Sequence, residues 1–344
     1  MFNTKNLAIP QKLADFWGQP NATAVLGDMI SSAKYRKTAV GHFLLYGGPG
    51  LGKTTLAKII ANEMNSTCHI KLAQDFKEPE ELFMHIAYTM SSKDVLLLDE
   101  VHSIKKTVEE SLFHYMETRY MDFRTQIKHF PAHMQKEIEI KYPRYKKTTN
   151  VKIHGYGPSI TIIGATTNPE CLSSPFIDRF QSLIELFPYS MDAMKTIIGN
   201  ICEKSKIDIE EDAKTELARR SKETVRVAHN LIQSCRDNLL ANEQKLCITK
   251  ENVLNTMKRH GIDMYGLKRK DREYLKIVEE NGPIGLATIA KMLGYRNTMP
   301  VNEIIEPYIM RQGWITIDAG RKLTKAGQKV VDELRTNNYL IHEN

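Results

Sequence analysis

The sequence predicts an α/β core built on a parallel sheet, followed by a small helical domain and a C-terminal winged helix. Three features carry that expectation. Up to Pro188, short apolar runs alternate with stretches of helical spacing, the pattern of a parallel sheet with helices on both faces. Beyond Pro188 the strand signals vanish and helical periodicity takes over. Near the end, three short helical segments precede two short strands and a closing helix, the order of a winged-helix domain.

The elements follow in order. Residues 23–36 place Val25, Leu26, Met29 and Ile30 at helical spacing. His42–Tyr46 is an apolar run ending at glycines and reads as a buried strand. Lys53–Met64 is a helix with Leu56, Ile59, Ile60 and Met64 on one face, and Val95–Leu98 is a second buried strand. Thr107-Val108-Glu109-Glu110 fits a capping box that opens a helix to about Tyr120. Ile160–Gly164 and Leu183–Leu186 are the third and fourth strands. Helices are then expected over 190–204, 210–222, 225–241 and 249–260, with Gly261 and Gly266 bracketing a linker. Helices over 270–281, 286–294 and 300–312 come next, then a strand Trp314–Ile317, a turn at Gly320, a second short strand and a helix from Lys325. These boundaries divide the chain into 1–188, 189–262 and 263–344.

Composition narrows the classes. A chain of 344 residues can bury two or three modest cores. The formal charge of +7, from 48 basic and 41 acidic residues, tilts mildly toward an anionic partner. Cys68, Cys171, Cys202, Cys235 and Cys247 are scattered and form no C-x-x-C pair, which predicts reduced thiols rather than a disulfide framework or a zinc site. The N-terminal residues lack an apolar signal core, and no stretch approaches the roughly 20 apolar residues that span a bilayer. The expectation is a cytoplasmic protein with no membrane partner.

The chemistry lies in two segments. Gly47-Gly48-Pro49-Gly50-Leu51-Gly52-Lys53-Thr54 matches the phosphate-binding loop in full, between a strand and a helix. Glycines let backbone N–H groups curl around phosphates, Lys53 supplies a point charge, and Thr54 offers a hydroxyl to Mg²⁺. Thr55 follows within the same site. Val95-Leu96-Leu97-Leu98-Asp99-Glu100 ends a buried strand in two acids, at the sheet edge where such folds bind ligands. Asp99 is suited to the Mg²⁺ shell and Glu100 to orienting and activating water. ATP with Mg²⁺ is therefore the expected ligand. Gly164-Ala165-Thr166-Thr167-Asn168 closes the third strand at the same edge, so Thr167 and Asn168 are candidates to sense the γ-phosphate. Arg179 and Arg226 open or precede elements beside the sheet or the helical domain.

These pieces, in this order, resemble an AAA+ P-loop ATPase core with a helical lid, and within that class the RuvB family of Holliday-junction branch-migration motors. The likeness runs from about Leu13 to Leu334. It rests on Gly18-Gln19-Pro20, GGPGLGKTTLAKIIANEM, LLLDEVHSIKKTVEE, GATT followed by SSP and DRF, and IIEPYIMRQGWI with GRKLT. The last run lies outside the ATPase core and is the most specific. The resemblance implies Lys53 and Thr54 in Walker A, Asp99 and Glu100 in Walker B, Thr167 at sensor 1 and Arg226 at sensor 2. It places Phe16 and Trp17 at the adenine pocket and Arg321 on the wing against DNA backbone. Lys322 lies beside Arg321 at the expected wing tip, with Lys325 close behind. The resemblance further implies a hexamer acting on double-stranded DNA and four-way junctions.

Three departures stand out. Ile177 replaces the first of two family arginines, leaving Arg179 as the finger candidate. Asn168 stands where the family commonly carries Arg, and the asparagine makes this corner look more like a clamp loader. The segment between Glu117 and Ile160 is longer than the family's. In that family it is a hairpin that docks on RuvA, so the insertion, at about 119–154, is expected to serve RuvA, a replacement junction-binding protein, or DNA itself. Between Arg119 and Lys152 nine basic residues face only Asp122, Glu137 and Glu139. Phe130, Tyr142 and Tyr145 are interleaved as possible stacking groups. Glu137-Ile138-Glu139-Ile140-Lys141-Tyr142 alternates as a half-exposed hairpin strand would. Two other readings stay open at this point: a clamp-loader-like or other DNA-remodelling ATPase, and an ATP-gated DNA-binding scaffold.

Overall fold

The computed structural model describes residues 7–141, 147–242 and 245–340. They form two compact units, Ile9–Tyr189 and a second running from Ser190 onward that also takes in Leu7 and Ala8.

The first unit contains α1 (Pro20–Arg36), β1 (Phe43–Tyr46), α2 (Lys53–Glu63), β2 (Cys68–Leu72), α3 (Pro79–Thr89), β3 (Val95–Asp99) and α4 (Lys106–Thr118). It continues with β4 (Tyr120–Gln126), α5 (Ala132–Lys141), β5 (Asn150–Tyr156), β6 (Thr161–Thr166), α6 (Ser174–Ile177) and β7 (Ser182–Glu185). Five parallel strands form the sheet in the order β2-β3-β6-β1-β7. β6, at its centre, is buried along its whole length, as expected of a strand covered on both faces. Its register pairs Tyr46 with Thr166 and Leu98 with Gly164, so β1 and β3 end at one sheet edge.

Sequence periodicity and structure part at several places. β2 went unpredicted: it is an edge strand whose His69 and Lys71 break the apolar run, and its burial is only partial. α1 begins at Pro20, three residues early, because proline's fixed φ suits a first helical position. The capping box at Thr107 does not form. The cap sits two residues earlier, at Lys105, without a side-chain bond, and the Glu109 carboxylate is taken by the Ser173 hydroxyl.

The largest correction is α5. The stretch expected as a hairpin strand is helical to Lys141, while Tyr142 lies outside the described residues. A strand would place Ile138 and Ile140 on one face. The helix instead packs Met134 and Ile138, one turn apart, against the core and leaves Ile140 81% exposed. Phe130 is buried with its ring 5.3 Å from that of Tyr88, so it offers no stacking surface. Arg144, Tyr145 and Lys146 also lie outside the described residues. β4 and β5 pair antiparallel from Tyr120↔Tyr156 to Gln126↔Asn150.

The second unit begins with α7 (Met191–Lys204), α8 (Glu211–Arg220), α9 (Val225–Ala241) and α10 (Lys250–Arg259). The Ser190 and Thr249 hydroxyls cap α7 and α10 by accepting from the N–H groups of Ala193 and Asn252. Strand signals do not vanish here entirely: β8 (Asp208–Ile209) and β9 (Cys247–Ile248) pair in parallel, too short to be seen in periodicity. Then come α11 (Arg269–Asn281), α12 (Leu286–Met292), a π-helical turn at Val301–Ile305, α13 (Glu306–Arg311), β10 (Ile315–Ile317), β11 (Arg321–Leu323) and α14 (Lys325–Thr336). Their core is Tyr274, Leu275, Val278, Ile289, Val301, Ile309, Trp314, Val331 and neighbours.

The segment from Gly261 to Gly266, expected as a linker, is a packed joint. Asp263 is fully buried and accepts from the N–H groups of Tyr265 (2.8 Å) and Leu267 (2.9 Å). Burial pushes its carboxyl upward. Arg272 donates to the Gly261 and Leu267 carbonyls at 2.9 and 2.8 Å, and lies 3.7 Å from Asp263. Gly266 has φ 77°, and a Cβ there would stand 2.5 Å from the Arg220 carbonyl oxygen. Lys222–Asp271 at 2.6 Å and Gln312–Glu223 at 2.7 Å tie the same two helical groups together.

Candidate functional site

The loop Gly47–Gly52 joins the end of β1 to the start of α2. Gly47, Gly50 and Gly52 have φ of 135°, 78° and 107°, values closed to most other residues. At Gly52 a Cβ would also lie 2.8 Å from the Phe16 ring. The loop is therefore wedged from behind as well as bent. Lys53 is buried, and its Nζ donates to the carbonyls of Gly47 (2.7 Å) and Gly48 (3.0 Å), folded into the loop's own cradle. Thr54 and Thr55 follow on the first turn of α2, both half-buried, while Pro49 is exposed. The N–H groups of a first helical turn have no intrahelical partner and favour anions.

The two residues expected at the base pocket differ in placement. Phe16 is buried under Gly52, while Trp17 is 49% exposed. Two further supports were not legible as such. The Tyr189 hydroxyl donates to the Leu51 carbonyl at 2.8 Å, and burial pushes its phenol up to about 12, keeping it a neutral donor. The Gln19 amide clamps Phe187 from both sides, donating to its carbonyl at 2.7 Å and accepting its N–H at 3.2 Å. Gln19 was singled out only by the family resemblance, and nothing in local pattern marks Tyr189.

Asp99 ends the buried strand β3, and its Oδ1 accepts the Glu100 N–H at 3.1 Å. Glu100 itself is left-handed, at φ 51° and ψ 47°. For a residue with a Cβ that conformation costs on the order of 1–3 kcal/mol and clusters at functional sites. Its half-exposed carboxylate lies 3.4 Å from His102 Nδ1. The same nitrogen is 2.8 Å from the hydroxyl of buried Thr166, whose Oγ1 accepts the Asn168 N–H at 3.0 Å. The Gly47 N–H donates to the Thr166 carbonyl. Glu100, His102, the end of β6 and the phosphate loop thus form one connected polar chain. The sequence marks the small polar residues of Gly164–Asn168 as a group and singles out Thr167 and Asn168, while giving His102 no role. Thr167 is half-buried and Asn168 exposed, and the hydroxyl that makes the connection belongs to the residue before them.

Among the described residues no group of three or more His, Cys, Asp or Glu could hold a metal ion unaided. Thr54 and Asp99 instead provide sparse, hard oxygen donors, the set suited to Mg²⁺ that keeps its waters and nucleotide oxygens. Arg179 does not turn toward its own phosphate loop. Its guanidinium lies over the Phe113 ring at 4.3 Å and 3.5 Å from Glu117 on α4. Arg226 is exposed at the second position of α9, in the second unit.

The wing departs from expectation. Its tip is Asp318–Gly320, not Arg321 and Lys322, which begin β11. Arg321 is not presented to a phosphate. Its Nε and Nη2 donate to the two oxygens of Glu306, at 2.9 and 3.2 Å, and Glu306 is only 1% exposed. The Tyr274 hydroxyl donates to the same carboxylate at 2.8 Å. The physical reason is register: Arg321 exchanges backbone bonds with Ile284, which turns its side chain inward over α13. Lys322, on the opposite face, is exposed.

Comparison with known proteins matches this arrangement from residue 8 to residue 332. Residues 8–186 match the Holliday junction DNA helicase RuvB P-loop domain, 189–263 the RuvB AAA lid domain and 264–332 the RuvB C-terminal winged helix domain. A Holliday junction branch migration complex subunit RuvB from Prochlorococcus marinus is 33% identical over 329 residues, covering 95% of this chain and 88% of that protein. The subunit of the same name from Bdellovibrio bacteriovorus is 33% identical over 327 residues, covering 94% and 92%. The Thermotoga maritima RuvB Holliday junction branch migration motor superimposes with a TM-score of 0.75 at 31% identity, covering 94% of this chain and 97% of that one. With its P-loop domain, lid and winged helix each matched in order, the chain belongs to the RuvB family.

Proposed function

We propose that this protein is an ATP-driven DNA motor of RuvB type that drives branch migration of Holliday junctions. The observation that carries the reading is the connected chain from the phosphate loop through Thr166 and His102 to Glu100, in a polypeptide that also carries the family's winged helix. Lys53, which here donates to the Gly47 and Gly48 carbonyls, would turn its charge to the β- and γ-phosphates of bound ATP. Mg²⁺ supplies charge neutralisation on the phosphate oxygens, and Thr54 and Asp99 are the residues that would hold it. Glu100 orients the attacking water and accepts its proton. Thr167 and Asn168 sense the γ-phosphate from the strand end, and Arg226 does so from the lid.

The working form is a hexameric ring in which Arg179 reaches the nucleotide of the neighbouring subunit. Its partners are double-stranded DNA and four-way junctions, with RuvA or a replacement junction-binding protein, and its place is the cytoplasm, at the nucleoid. No helix among the described residues is long and apolar enough to cross a membrane. Residues 1–188 serve as motor core, 189–262 as lid and 263–344 as DNA-binding domain. The test is branch migration of a synthetic four-way junction with ATP and Mg²⁺, with and without RuvA. Junction movement that needs hydrolysable ATP is expected. ATP turnover with no movement under either condition would overturn the reading.

A further inference from the structure

The β4–β5 hairpin takes no part in the nucleotide chemistry. Its inner face is apolar and already covered, with Met121 and Phe123 buried and Val151 and Ile153 packed against the core. It is also firmly seated. The Phe83 and Phe123 rings lie 5.5 Å apart, the Gly157 N–H donates to the Arg119 carbonyl at 2.8 Å, and the Tyr115 hydroxyl donates to the Pro158 carbonyl at 2.6 Å. The outer face is therefore carried on a rigid platform.

That outer face has an unusual composition. Its cross-strand pairs are Tyr120 with Tyr156, Asp122 with His154, Arg124 with Lys152 and Gln126 with Asn150. No aliphatic side chain is among them. Arg124 and Lys152 are both exposed and directly opposite. Like charges so placed are destabilising, and Asp122, 3.1 Å from Lys152, offsets one of the two. Past the strand ends, the Lys128 N–H donates to the Lys147 carbonyl at 2.9 Å, which brings two more exposed lysines to the same end of the hairpin. At the other end Tyr156 is 77% exposed, held edge-on against Tyr120 with ring centroids 5.5 Å apart.

We propose that this face is a second nucleic-acid contact, in which Arg124, Lys128, Lys147 and Lys152 grip the sugar-phosphate backbone and Tyr156 offers a flat face to a base or sugar. The inference rests on the DNA-motor reading above but does not involve the winged helix. Three points select nucleic acid over an acidic protein surface. A protein-docking patch has a desolvated apolar centre, and this face has none. A polyanion removes the Arg124–Lys152 repulsion along with their counterions. Finally, a cationic track ending in an exposed aromatic is the pattern of nucleic-acid grooves. The seven-residue strands run roughly 20 Å, or about six base-pair steps of duplex.

The test uses the full-length protein and a synthetic four-way junction, with binding measured across a salt series. The variant Arg124→Gln/Lys128→Gln/Lys152→Gln removes three exposed charges and no buried group. Each phosphate contact adds about 0.9 to the slope of log affinity against log salt. The triple variant should therefore flatten the slope by about 2–3 and bind roughly tenfold or more weakly at low salt. Tyr156→Ser should weaken binding several-fold with the slope unchanged. DNA-independent ATP turnover should be that of wild type in both. A triple variant with the wild-type slope overturns the proposal, including the case where it has lost a partner protein instead. Wild-type protein that binds no DNA would overturn the motor reading itself, and the two failures are distinguishable.

Discussion

Replacing Arg321 with Met is expected to destabilise rather than disarm the winged helix. The guanidinium makes a two-point contact with Glu306, and among the described residues only the Tyr274 hydroxyl would remain on that carboxylate. The Arg321 side chain is 15% exposed, so some water would enter. Breaking a buried pair by removing one partner costs about 3–5 kcal/mol, because the other charge is left uncompensated, and the partial exposure argues for the lower end. For a unit of this size each kcal/mol moves the melting temperature by about 2–4 °C, so a drop of roughly 6–12 °C is expected in thermal unfolding followed by circular dichroism. Removing the anion as well, in Arg321→Met/Glu306→Leu, should restore most of the loss, since no buried charge then stands alone. The contrary outcome is equally sharp. If Arg321 were a phosphate contact, the single variant would melt like wild type and its DNA affinity would lose part of its salt dependence. That result would refute the structural assignment of this residue.

Glu100→Gln should keep ATP binding while slowing hydrolysis by roughly 10²–10⁴, measured by nucleotide titration and phosphate release; wild-type turnover would remove Glu100 as the base. Arg179→Ala subunits mixed with Glu100→Gln subunits should recover part of the lost ATPase activity, since each supplies what the other lacks, and a mixture as inactive as its components would count against a shared site. A third expectation concerns acid. Burial pushes His42 down to about 4, against a backbone hydrogen bond with Met116 that raises it, and its neutral Nδ1 accepts the Ile162 N–H at 3.0 Å. Because the folded value lies below the unfolded one, this stabilisation is complete above about pH 6.5 and is lost as pH falls toward 4, by at most roughly 3 kcal/mol. Urea unfolding across that window should show the decline, and His42→Asn should flatten it.

The candidate site's loop and strand-end acids were legible as a pattern because their information is local. A phosphate loop needs glycines, a lysine and a hydroxyl at fixed offsets, and Gly47 to Thr54 carry them wherever the rest of the chain goes. Asp99 and Glu100 were legible for a similar reason: four apolar residues force β3 into the sheet, and the acids must follow at its end. Periodicity also found most helices, since an amphipathic stripe records which side a helix buries.

What the sequence left open depends on pairing across distance. Ile138 and Ile140 satisfy a strand's period, but Met134 and the covered core beneath it made the segment a helix. Phe130 reads as an exposed aromatic among lysines until Tyr88 covers it. His102 and Thr166 are 64 residues apart, and only the order of β3 and β6 in the sheet brings them together. Arg321 stands beside a turn glycine, where a basic residue normally faces water. Its direction was decided by the backbone exchange with Ile284 and by α13 holding an anion beneath it. Local sequence thus determined most of the helices and the central strands and the phosphate-loop pattern, because steric rules and motif spacing act within a few residues. Tertiary structure decided which charges face water and which face each other, because a buried charge is stable only where a partner from elsewhere in the chain meets it.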